Sequence, residues 1–399
     1  MVEIVEEIVI VGAGIAGLTA SLGLHRLGIG SLVLESSDTL RTYGYAFALW
    51  SNAWKALDAI GIGHILREKH NRLSRLVSTS STSGLPTAEL SLDRDHEVRR
   101  INRKVLIETL SDEHPKGIIR FSSKVVYIQD SGSFKSIHLA DGNILKAKVL
   151  IGCDGVNSVV AKFLGFGKPS FAGRASIRGY VDFKDGHSFG ADFLQFFGNG
   201  VRYGVTPCDD SGVYWFFTYI PSPQDTGIEK DPAMMKQFVL SKLGNISDKI
   251  RSVFENTDLN SMIWSQLKFR HPYELLSGNI SKDNVCIAGD ALHTMTPDIG
   301  QGGCSALEDG VILARVLAKA LAGKSSDEVD QHRRIVMGLK KYARERRWRS
   351  VKLVSVAYVV GFVQQSNGVL IRFLRDKVFA RFLGGVLLRM SQFDCGSLY

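Results

Sequence analysis

The segment from residue 6 to residue 37 restricts the fold more than any other part of the chain. It reads EEIVIVGAGIAGLTASLGLHRLGIGSLVLESS: an apolar strand, a glycine turn, a helical pattern and a second apolar strand. Gly12 permits the tight turn, Gly14 leaves room for a pyrophosphate, and Gly17 lets helix and strand pack closely. The helix N-terminus then faces the anion. The sequence therefore predicts a dinucleotide-binding βαβ unit in an α/β fold.

Glu35 narrows the choice of dinucleotide. It lies 18 residues after Gly17, where a carboxylate can bond ribose hydroxyls and repels a 2′-phosphate. The unit therefore favours FAD or NAD over NADP and does not distinguish the first two. A compact glycine turn without a ligand is the alternative that this segment alone leaves open.

Two later segments repeat the order of strand, glycine turn and helix. The first, AKVLIGCDGVNSVVAKFLGF, contains Asp154 and Gly155; the second, NVCIAGDALHTMTPDIGQGG, contains Asp290 and ends in Gly300 to Gly303. A carboxylate at a strand end can bond ribityl hydroxyls, and glycine amides at a helix start can stabilise negative charge on a reduced flavin. Each segment alone also fits an ordinary turn, but the second favours a flavin.

The charge of the chain does not require a polyanionic partner. Its 399 residues carry a net charge of +9, but nine Lys and Arg residues between positions 333 and 352 are set against one acid, Glu345. Helical spacing of the apolar residues there predicts a solvated helix face, with membrane-surface contact as the lesser alternative. The apolar run from Leu353 to Val363 is shorter than the ~20 residues of a membrane span, so we expect a buried or interfacial helix.

The cysteines and the N-terminus indicate a reducing compartment. The five cysteines are scattered and never spaced as C-x-x-C, which disfavours a disulfide framework and a metal site. The chain starts with acidic residues and a strand rather than a basic leader. We therefore expect a cytoplasmic protein without a metal.

Three motifs in this order resemble those of the group A flavoprotein monooxygenases, the FAD-dependent aromatic hydroxylases with the para-hydroxybenzoate hydroxylase fold. They are GAGIAG at Gly12 to Gly17, CDGVNS at Cys153 to Ser158 and GDALHTMTPDIGQGG at Gly289 to Gly303. The stretches LWSNAWKALDAIG and DIGQGGCSALEDGVILAR are most similar to the plant branch of these FAD monooxygenases.

The resemblance implies which residues hold FAD. Glu35 would bind the adenosine ribose, Arg103 would lie near the ribityl-pyrophosphate, and Asp290 would hold the ribityl chain. Val125 would offer its backbone to adenine, and Asp154 with Gly155 would serve both FAD and NAD(P)H. The full expected cofactor set is Gly12, Gly14, Ile15, Ala16, Gly17, Glu35, Ser36, Arg41, Arg103, Val125, Asp154, Gly155, Asp290, Pro297, Gly300, Gln301, Gly302 and Gly303.

A few residues depart from the family pattern or suggest other roles. Where the family places Arg after the Asp-Gly pair, this chain has Ala161 and Lys162, which weakens the expected pyridine-nucleotide contact. Cys304 replaces a frequent Asn and is expected to be a small buried residue. His293 is expected to serve the structure of its motif rather than catalysis.

The resemblance also implies a domain plan: a Rossmann-like FAD-binding domain, an interleaved, mainly antiparallel β-sheet substrate domain and a helical C-terminal segment. The expected ranges are 1–75, 98–170 and 273–330 for the FAD domain, 76–97 and 171–272 for the substrate domain, and 331–399 for the helical cap.

The middle region predicts a hairpin around TPCDDSG, with strands on both sides. Alternation puts Phe193, Gln195 and Phe197 on one face of a strand, but it does not tell which face lines the pocket. Tyr214, Phe216 and Thr218 likewise share a face of the neighbouring strand. The tyrosines considered as hydrogen-bond partners of a phenolic substrate are Tyr45, Tyr203 and Tyr214.

The implied reaction is an oxygenation. NAD(P)H, with NADPH favoured, would reduce FAD, and a flavin C4a-hydroperoxide would hydroxylate or otherwise oxygenate a small aromatic or apolar metabolite. No side chain is predicted as catalytic, because the cofactor carries the chemistry. The alternatives are a flavoenzyme of the same fold with a non-hydroxylating redox or cyclisation reaction, and a flavin-binding protein without activity. The expected partners are the substrate and O2, without nucleic acid; the oligomeric state is not predicted.

Overall fold

The computed structural model describes residues 5–41, 46–92, 95–198, 200–323, 327–365 and 380–399. The strands are β1 (Val5–Val11), β2 (Leu32–Leu34), β3 (Ala46–Leu49), β4 (Arg75–Ser80), β5 (Pro86–Ser91), β6 (Arg99–Asn102), β7 (Ile119–Arg120), β8 (Val125–Ser131), β9 (Phe134–Leu139), β10 (Ile144–Gly152), β11 (Ser170–Asp182), β12 (Asp192–Gly198), β13 (Val201–Pro207), β14 (Gly212–Tyr219), β15 (Ile263–Phe269), β16 (Ser281–Lys282) and β17 (Val285–Ile287). The helices are α1 (Ile15–Arg26), α2 (Ser51–Ala59), α3 (Gly63–Lys69), α4 (Arg103–Asp112), α5 (Val159–Phe163), α6 (Pro232–Lys242), α7 (Asp248–Glu255), α8 (Pro272–Ser277), α9 (Asp290–His293), α10 (Gly302–Leu321), α11 (Glu328–Gln365) and α12 (Ala380–Met390).

The first sheet brings the three glycine turns to one edge. β1 pairs in parallel with β2 and β10, and β10 pairs in parallel with β17. Within the described ranges the strand order is β16-β17-β10-β1-β2-β7, with β8 and β9 attached through β10. Val11, Gly152 and Ile287 are neighbours in register. The predicted βαβ unit is confirmed, and the turns after β1, β10 and β17 lie side by side.

The second sheet is mainly antiparallel, as predicted. Its strand order over the described residues is β15-β11-β14-β13-β12-β4-β5, and only the β12–β4 pair in that path is parallel. β13 and β14 form the predicted hairpin, which the Cys208 amide closes by donating to the Gly212 carbonyl at 2.8 Å.

The two faces of this sheet have different surroundings. One face carries Val205, Trp215 and Phe217, which form a hydrophobic core together with Val239 and Phe254 of α6 and α7. The other face carries the alternate residues of the same strands and looks toward the first sheet. Side chains on that second face are therefore available to a site between the sheets.

The predicted helical C-terminal segment is present, and α11 contacts both sheets. Near its middle the Tyr342 hydroxyl donates to the Ile287 carbonyl at 3.0 Å, and at its end Gln365 Nε2 donates to Thr218 Oγ1 at 2.8 Å. In the run from Leu353 to Val363, Ala357 is buried and Phe362 is 56% exposed, which fits the interfacial helix that we expected. None of the helices in the described part of the chain is long and apolar enough to span a membrane.

The basic stretch of α11 corrects one prediction. We expected a solvated face, but Arg346 is fully buried and Arg349 is 8% exposed. The reason is that Glu308 and Asp309 of α10 lie opposite and form ion pairs with them. Part of the basic excess is therefore neutralised inside the protein.

Candidate functional site

The turn after β1 leaves the start of α1 open to an anion. Gly12 has a φ of 105° and lies against the Cys153 carbonyl, so both backbone conformation and space exclude a side chain there. A Cβ at Gly14, by contrast, would meet nothing within 4 Å. No side chain caps α1, so the amides of its first turn face this open space. A pyrophosphate requires this arrangement.

The other residues of this motif shape the turn. Ile15 contributes to the lining of a cavity, and Ala16 is 5% exposed. The missing side chain of Gly17 makes room for the Gly12 carbonyl. The three residues thus place the helix start against the strand.

Glu35 lies beside the glycine turn and is 6% exposed. Its Oε2 accepts a hydrogen bond from the Ala13 amide at 3.0 Å, and its Oε1 accepts one from the Ser37 amide at 2.9 Å. Arg41 Nη2 lies 3.3 Å from Oε1 and also donates to the Ser36 hydroxyl. Glu35, Ser36 and Arg41 are therefore brought together at one end of the turn.

Val125 lies close to the same place. The Ser123 amide donates to the Glu35 carbonyl at 2.7 Å, and Val125 follows two residues later as the first residue of β8. Val125 is 6% exposed, so its backbone rather than its side chain would meet a ligand.

Asp154 and Gly155 occupy the turn after β10. The Asp154 carboxylate accepts hydrogen bonds from the Ser158 hydroxyl at 2.5 Å and from the Val159 amide at 2.6 Å. Burial raises the pKa of this carboxyl group, although these hydrogen bonds oppose the shift. Because both carboxylate oxygens are held within the turn, the side chain shapes the motif, and contact with a ligand falls to the backbone.

The loop after α9 forms part of the wall of a cavity of about 830 Å³. The predicted residues that line it from this loop and from α9 and α10 are Asp290, Pro297, Gly300, Gly302 and Gly303. A Cβ at Gly302 would meet nothing within 4 Å, so the start of α10 is open like that of α1. Gln301 points elsewhere: it is 1% exposed, and its Oε1 accepts a hydrogen bond from Asn52 at 2.8 Å. A cofactor contact of Gln301 therefore falls to its backbone.

The opposite wall of the cavity is the second sheet. The face that the sequence left unassigned is the one that carries Phe193, Gln195, Tyr214 and Phe216. Thr218 lies on the same face but bonds Gln365, so it anchors α11.

Only part of the tyrosine prediction survives. Tyr214 lines the cavity. Tyr203 lies in the core on the other face, and its hydroxyl donates to the Leu243 carbonyl, so its proposed contact with a phenol is wrong. Tyr45 lies outside the described residues.

The cavity wall contains a buried ion cluster that was not predicted from the sequence. Arg174 binds Asp298 with two hydrogen bonds of 3.0 and 2.7 Å, and Arg202 binds it at 2.7 Å. Burial opposes ionisation of Asp298, but the two guanidinium groups hold its carboxyl pKa below the ordinary value. An available signal was the presence of arginine inside apolar strands, where alternation places it on an inward face.

A second buried ion cluster lies where α10 packs on α11. Arg346 Nε donates to Asp309 at 2.5 Å, while its Nη1 lies 2.7 Å from Glu308 in ion-pair contact without hydrogen-bond geometry. Arg349 donates to Glu308 at 2.7 and 3.1 Å. His293 Nε2 lies 2.8 Å from Asp309. His293 is fully buried and belongs to this cluster, which is the structural role that we predicted for it.

Cys304 is fully buried, as expected, with Sγ 3.8 Å from the Ala48 carbonyl oxygen. Burial raises the pKa of its thiol to about 12. The thiol is therefore protonated and unreactive at neutral pH.

Comparison with known proteins decides the family. The family model described as FAD binding domain matches residues 6–357. Over 400 residues, and 98% of each chain, the sequence is 52% identical to Monooxygenase 2 of Arabidopsis thaliana. The chain belongs to the family of FAD-dependent monooxygenases. Monooxygenase 1 of the same plant is a second relative of this family member, with 35% identity over 98% of this chain and 99% of the other.

Solved structures share the fold of this monooxygenase. The crystal structure of Klebsiella pneumoniae HpxO in complex with FAD and uric acid superposes with a TM-score of 0.84. The alignment covers 99% of this chain and 98% of the other at 22% identity. The α/β fold class with its helical C-terminal segment is therefore confirmed.

The residues of the monooxygenase fit FAD. Arg103 Nε is buried without a hydrogen-bond partner, and Asp290 is exposed in the same cavity. Burial lowers the pKa of Arg103, and the charge of Asp290 opposes that shift. An unpaired donor, an accessible carboxylate and open helix starts at Gly14 and Gly302 match the hydroxyls, phosphates and ring oxygens of FAD.

Proposed function

We propose that this monooxygenase uses NAD(P)H and O2 to hydroxylate, or otherwise oxygenate, a small aromatic or apolar metabolite. In the balanced reaction, substrate, O2, NAD(P)H and a proton give oxygenated product, NAD(P)⁺ and water. One oxygen atom enters the product and the other leaves as water. The observation that carries the proposal is a cavity that Asp290 and Gly302 line on one side and the aromatic face of the second sheet lines on the other.

When bound, FAD supplies the electron transfer from NAD(P)H and the activation of O2. The chain binds and orients it: the α1 amides beside Gly14 hold the pyrophosphate, Glu35 holds the adenosine ribose, and Asp290 with Arg103 holds the ribityl chain. The amides at the start of α10 stabilise negative charge on the ring system. Ser36, Arg41 and Val125 complete the adenosine end.

The second sheet excludes water and positions the substrate. Phe193 and Phe216 lie with ring centroids 6.2 Å apart in an edge-to-face arrangement on the cavity wall. An apolar wall keeps water from the reacting atoms, so that oxygen is transferred to the substrate and not released as hydrogen peroxide. Tyr214 is one of the polar groups that this wall presents to a substrate, together with Gln195 and Arg178.

The reductant is proposed to be NADPH rather than NADH. Asp154 and Gly155 form the turn at which the nicotinamide nucleotide is expected. In α5, Ala161 is buried and Lys162 is exposed, so Lys162 supplies the positive charge on this surface. Mixing the oxidised enzyme anaerobically with NADPH or NADH tests this directly, and faster flavin bleaching by NADPH is expected.

We also propose that the first sheet with its helices, within 1–75, 98–170 and 273–330, forms the FAD domain. The second sheet would form the substrate domain, from 76–97 and 171–272, and residues 331–399 the cap. The division is supported by β4 and β5, which join the second sheet although they precede β6 in the chain. The cytoplasm is the proposed compartment.

Flavin content, labelled oxygen and two glycine variants test the function. The purified protein is expected to be yellow, to oxidise NAD(P)H faster when its substrate in a metabolite extract is present, and to place one atom of ¹⁸O2 in the product. Gly14→Val fills the proposed pyrophosphate space and is expected to remove FAD without unfolding the chain. Gly30→Val is the matched control, because its Cβ also meets nothing within 4 Å.

The outcomes separate the alternatives. A colourless protein that binds no added FAD contradicts the proposal. Substrate turnover without oxygen uptake identifies a non-hydroxylating flavoenzyme instead, and a bound flavin that NADPH never bleaches identifies a flavin-binding protein without this activity.

A further inference from the structure

The cavity carries an excess of positive charge. Five cationic side chains and two carboxylates of the described residues line it: Arg100, Arg103, Arg178, Arg202, Lys268, Asp290 and Asp298. Asp298 is bound by Arg202 and by Arg174 behind the wall, and the charge of Asp290 acts on Arg103. Arg100 and Arg178 therefore remain without a carboxylate partner among the residues that the structure describes.

Arg100 is the more deeply buried of the two. It is 5% exposed, its Nε donates to Thr206 Oγ1 at 3.3 Å, and its Nη2 has no hydrogen-bond partner. Its Cζ lies 4.8 Å from the ring centroid of Phe193 and 5.5 Å from that of Tyr214. Aromatic faces attract a cation but leave its charge uncancelled, and an unpaired buried charge costs free energy. Burial accordingly lowers the pKa of Arg100, opposed only by Cys208 and Tyr214.

Arg178 approaches the same point from β11. It is opposite Phe216 in register, and Tyr214 lies two residues before Phe216 on the same face of β14. Its Nη2 donates to Ser265 Oγ at 3.3 Å, and its Nε has no partner. Tyr214 thus has guanidinium groups on two sides, and both groups retain free N–H donors.

We propose that Arg100 and Arg178 form an anion subsite that binds the carboxylate of a planar, otherwise apolar organic acid, which is the substrate of this monooxygenase. A guanidinium group offers parallel N–H donors that match the two oxygens of a carboxylate. The ring of such an acid packs against Phe193 and Phe216. The proposal rests on the proposed function, and it restricts the substrate from a small aromatic or apolar metabolite to an acid.

The contacts of Arg100 separate it from the proposed FAD phosphates, whereas Arg178 lies closer to the cofactor side, where its charge acts on Arg103. The contacts of Arg100 that the structure describes, with Phe193, Thr206 and Tyr214, are all to the second sheet. The pyrophosphate is expected at the start of α1, beside Gly14. Arg103 and Asp290 face the cofactor side of the cavity, so the phosphates have other partners.

A pair of matched probes tests the subsite. 1-Naphthoate is the anionic probe, and 1-naphthalenemethanol is its neutral counterpart of nearly equal shape. Binding to the FAD-loaded protein at pH 7 is followed by the change in flavin absorbance and by quenching of tryptophan fluorescence, since Trp50 and Trp264 line the cavity. The wild-type protein is expected to bind naphthoate about 10- to 100-fold more tightly, as a charge-assisted hydrogen bond allows.

Variants assign the preference to the two arginines. Arg100→Met and Arg178→Met are each expected to reduce the ratio of naphthoate to naphthalenemethanol affinity at least about tenfold. Arg100→Lys is expected to give a ratio between those of the wild type and Arg100→Met, since lysine keeps the charge without the parallel N–H donors. Arg75→Met is the control, because Arg75 is exposed on the same sheet and pairs with Glu89 and Asp192. Each variant must keep a cooperative unfolding transition and its FAD content.

Several results would overturn the subsite. One is equal binding of both probes by the wild-type protein, or no binding of naphthoate at millimolar concentration. Another is an Arg100→Met variant that keeps the wild-type ratio of naphthoate to naphthalenemethanol affinity. If Arg100 instead holds the phosphate of NADPH, Arg100→Met weakens NADPH binding and leaves the probe ratio intact, which also overturns it. Failure of the subsite can be distinguished from failure of the proposed function, because FAD content and flavin bleaching by NADPH are measured on the same samples without substrate turnover.

Discussion

Two groups of buried or half-buried arginines in this protein differ in what neutralises them. Arg346 and Arg349, between α10 and α11, are paired with Glu308 and Asp309, so opposite charges balance within the chain. Arg100 and Arg178, in the cavity wall, have no carboxylate partner among the described residues. A charge that the chain neutralises itself supports the fold, whereas a buried charge left unpaired points to a ligand that supplies the missing one.

The pKa shifts follow the same division. Burial lowers the pKa of Arg346, but Asp309 and Glu308 raise it by more, so the net shift is upward. Burial also lowers the pKa of Arg100, and no carboxylate reverses it. Arg174 and Arg202 share the single carboxylate of Asp298, so their charges are balanced only in part. The four predictions below start with the fully paired cluster, where the largest effect is expected.

Arg346→Met is expected to lower the free energy of unfolding by about 3–5 kcal/mol, because it leaves the buried carboxylates of Glu308 and Asp309 short of a partner. Urea denaturation measures the change. Arg344→Met, at an exposed position of the same helix, is the control and is expected to stay within about 0.5 kcal/mol of the wild type. Equal losses in the two variants would refute a stabilising role of the cluster.

Asp298→Asn is expected to cost about 2–3 kcal/mol, since it leaves Arg174 and Arg202 without their shared carboxylate. Asp192→Asn is the matched control, because its ion pair with the half-exposed Arg75 contributes at most about 1 kcal/mol. The same urea titration checks both. A neutral effect of Asp298→Asn would mean that the cavity solvates these arginines.

The loss caused by Arg346→Met is expected to shrink in acid. Burial raises the pKa of Glu308 and Asp309, but the nearby arginines lower it below the ordinary values of 4.5 and 3.8. Their stabilisation is therefore complete above those values and is lost as pH falls toward the folded-state pKa. The difference between wild type and variant should fall by at most about 1.4 kcal/mol per pH unit for each carboxylate. Unfolding at pH 7, 4 and 3 measures it; a constant difference over this range would contradict the assignment.

Arg100→Met is expected to have the smallest effect on the free protein, between no change and a gain of about 1 kcal/mol, because it removes an unpaired buried charge. Urea denaturation without ligand is the measurement, with Arg75→Met as control. A loss comparable to that of Arg346→Met would show that Arg100 has an unrecognised structural partner.

The cofactor end of the site was predictable from sequence because its signals are local. Gly12, Gly14 and Glu35 belong to one βαβ unit, and the structure keeps their predicted arrangement. The sequence could not assign the sheet faces, because alternation groups Phe193 with Gln195 but does not say what covers them. Tyr203 was misplaced for that reason.

The ion clusters were not predictable because their members are far apart in the chain. Arg346 and Asp309 meet across 37 positions, and Arg174 and Asp298 across 124. The same fact explains why the basic stretch of α11 was taken for a solvated face: its partners lie on α10.

Ligand-induced stabilisation tests the difference between the two arginine groups most directly. The free energy of unfolding of FAD-loaded wild type, Arg346→Met and Arg100→Met is measured with and without 1-naphthoate. At a concentration of about 100 times the wild-type Kd, a ligand adds about 2.7 kcal/mol to the stability of the protein that binds it. We predict that Arg346→Met starts low and gains the full increment, whereas Arg100→Met starts at or above the wild-type value and gains about half of it or less. Equal increments in the two variants, or a low starting stability of Arg100→Met, would contradict the division between structural and ligand-binding arginines.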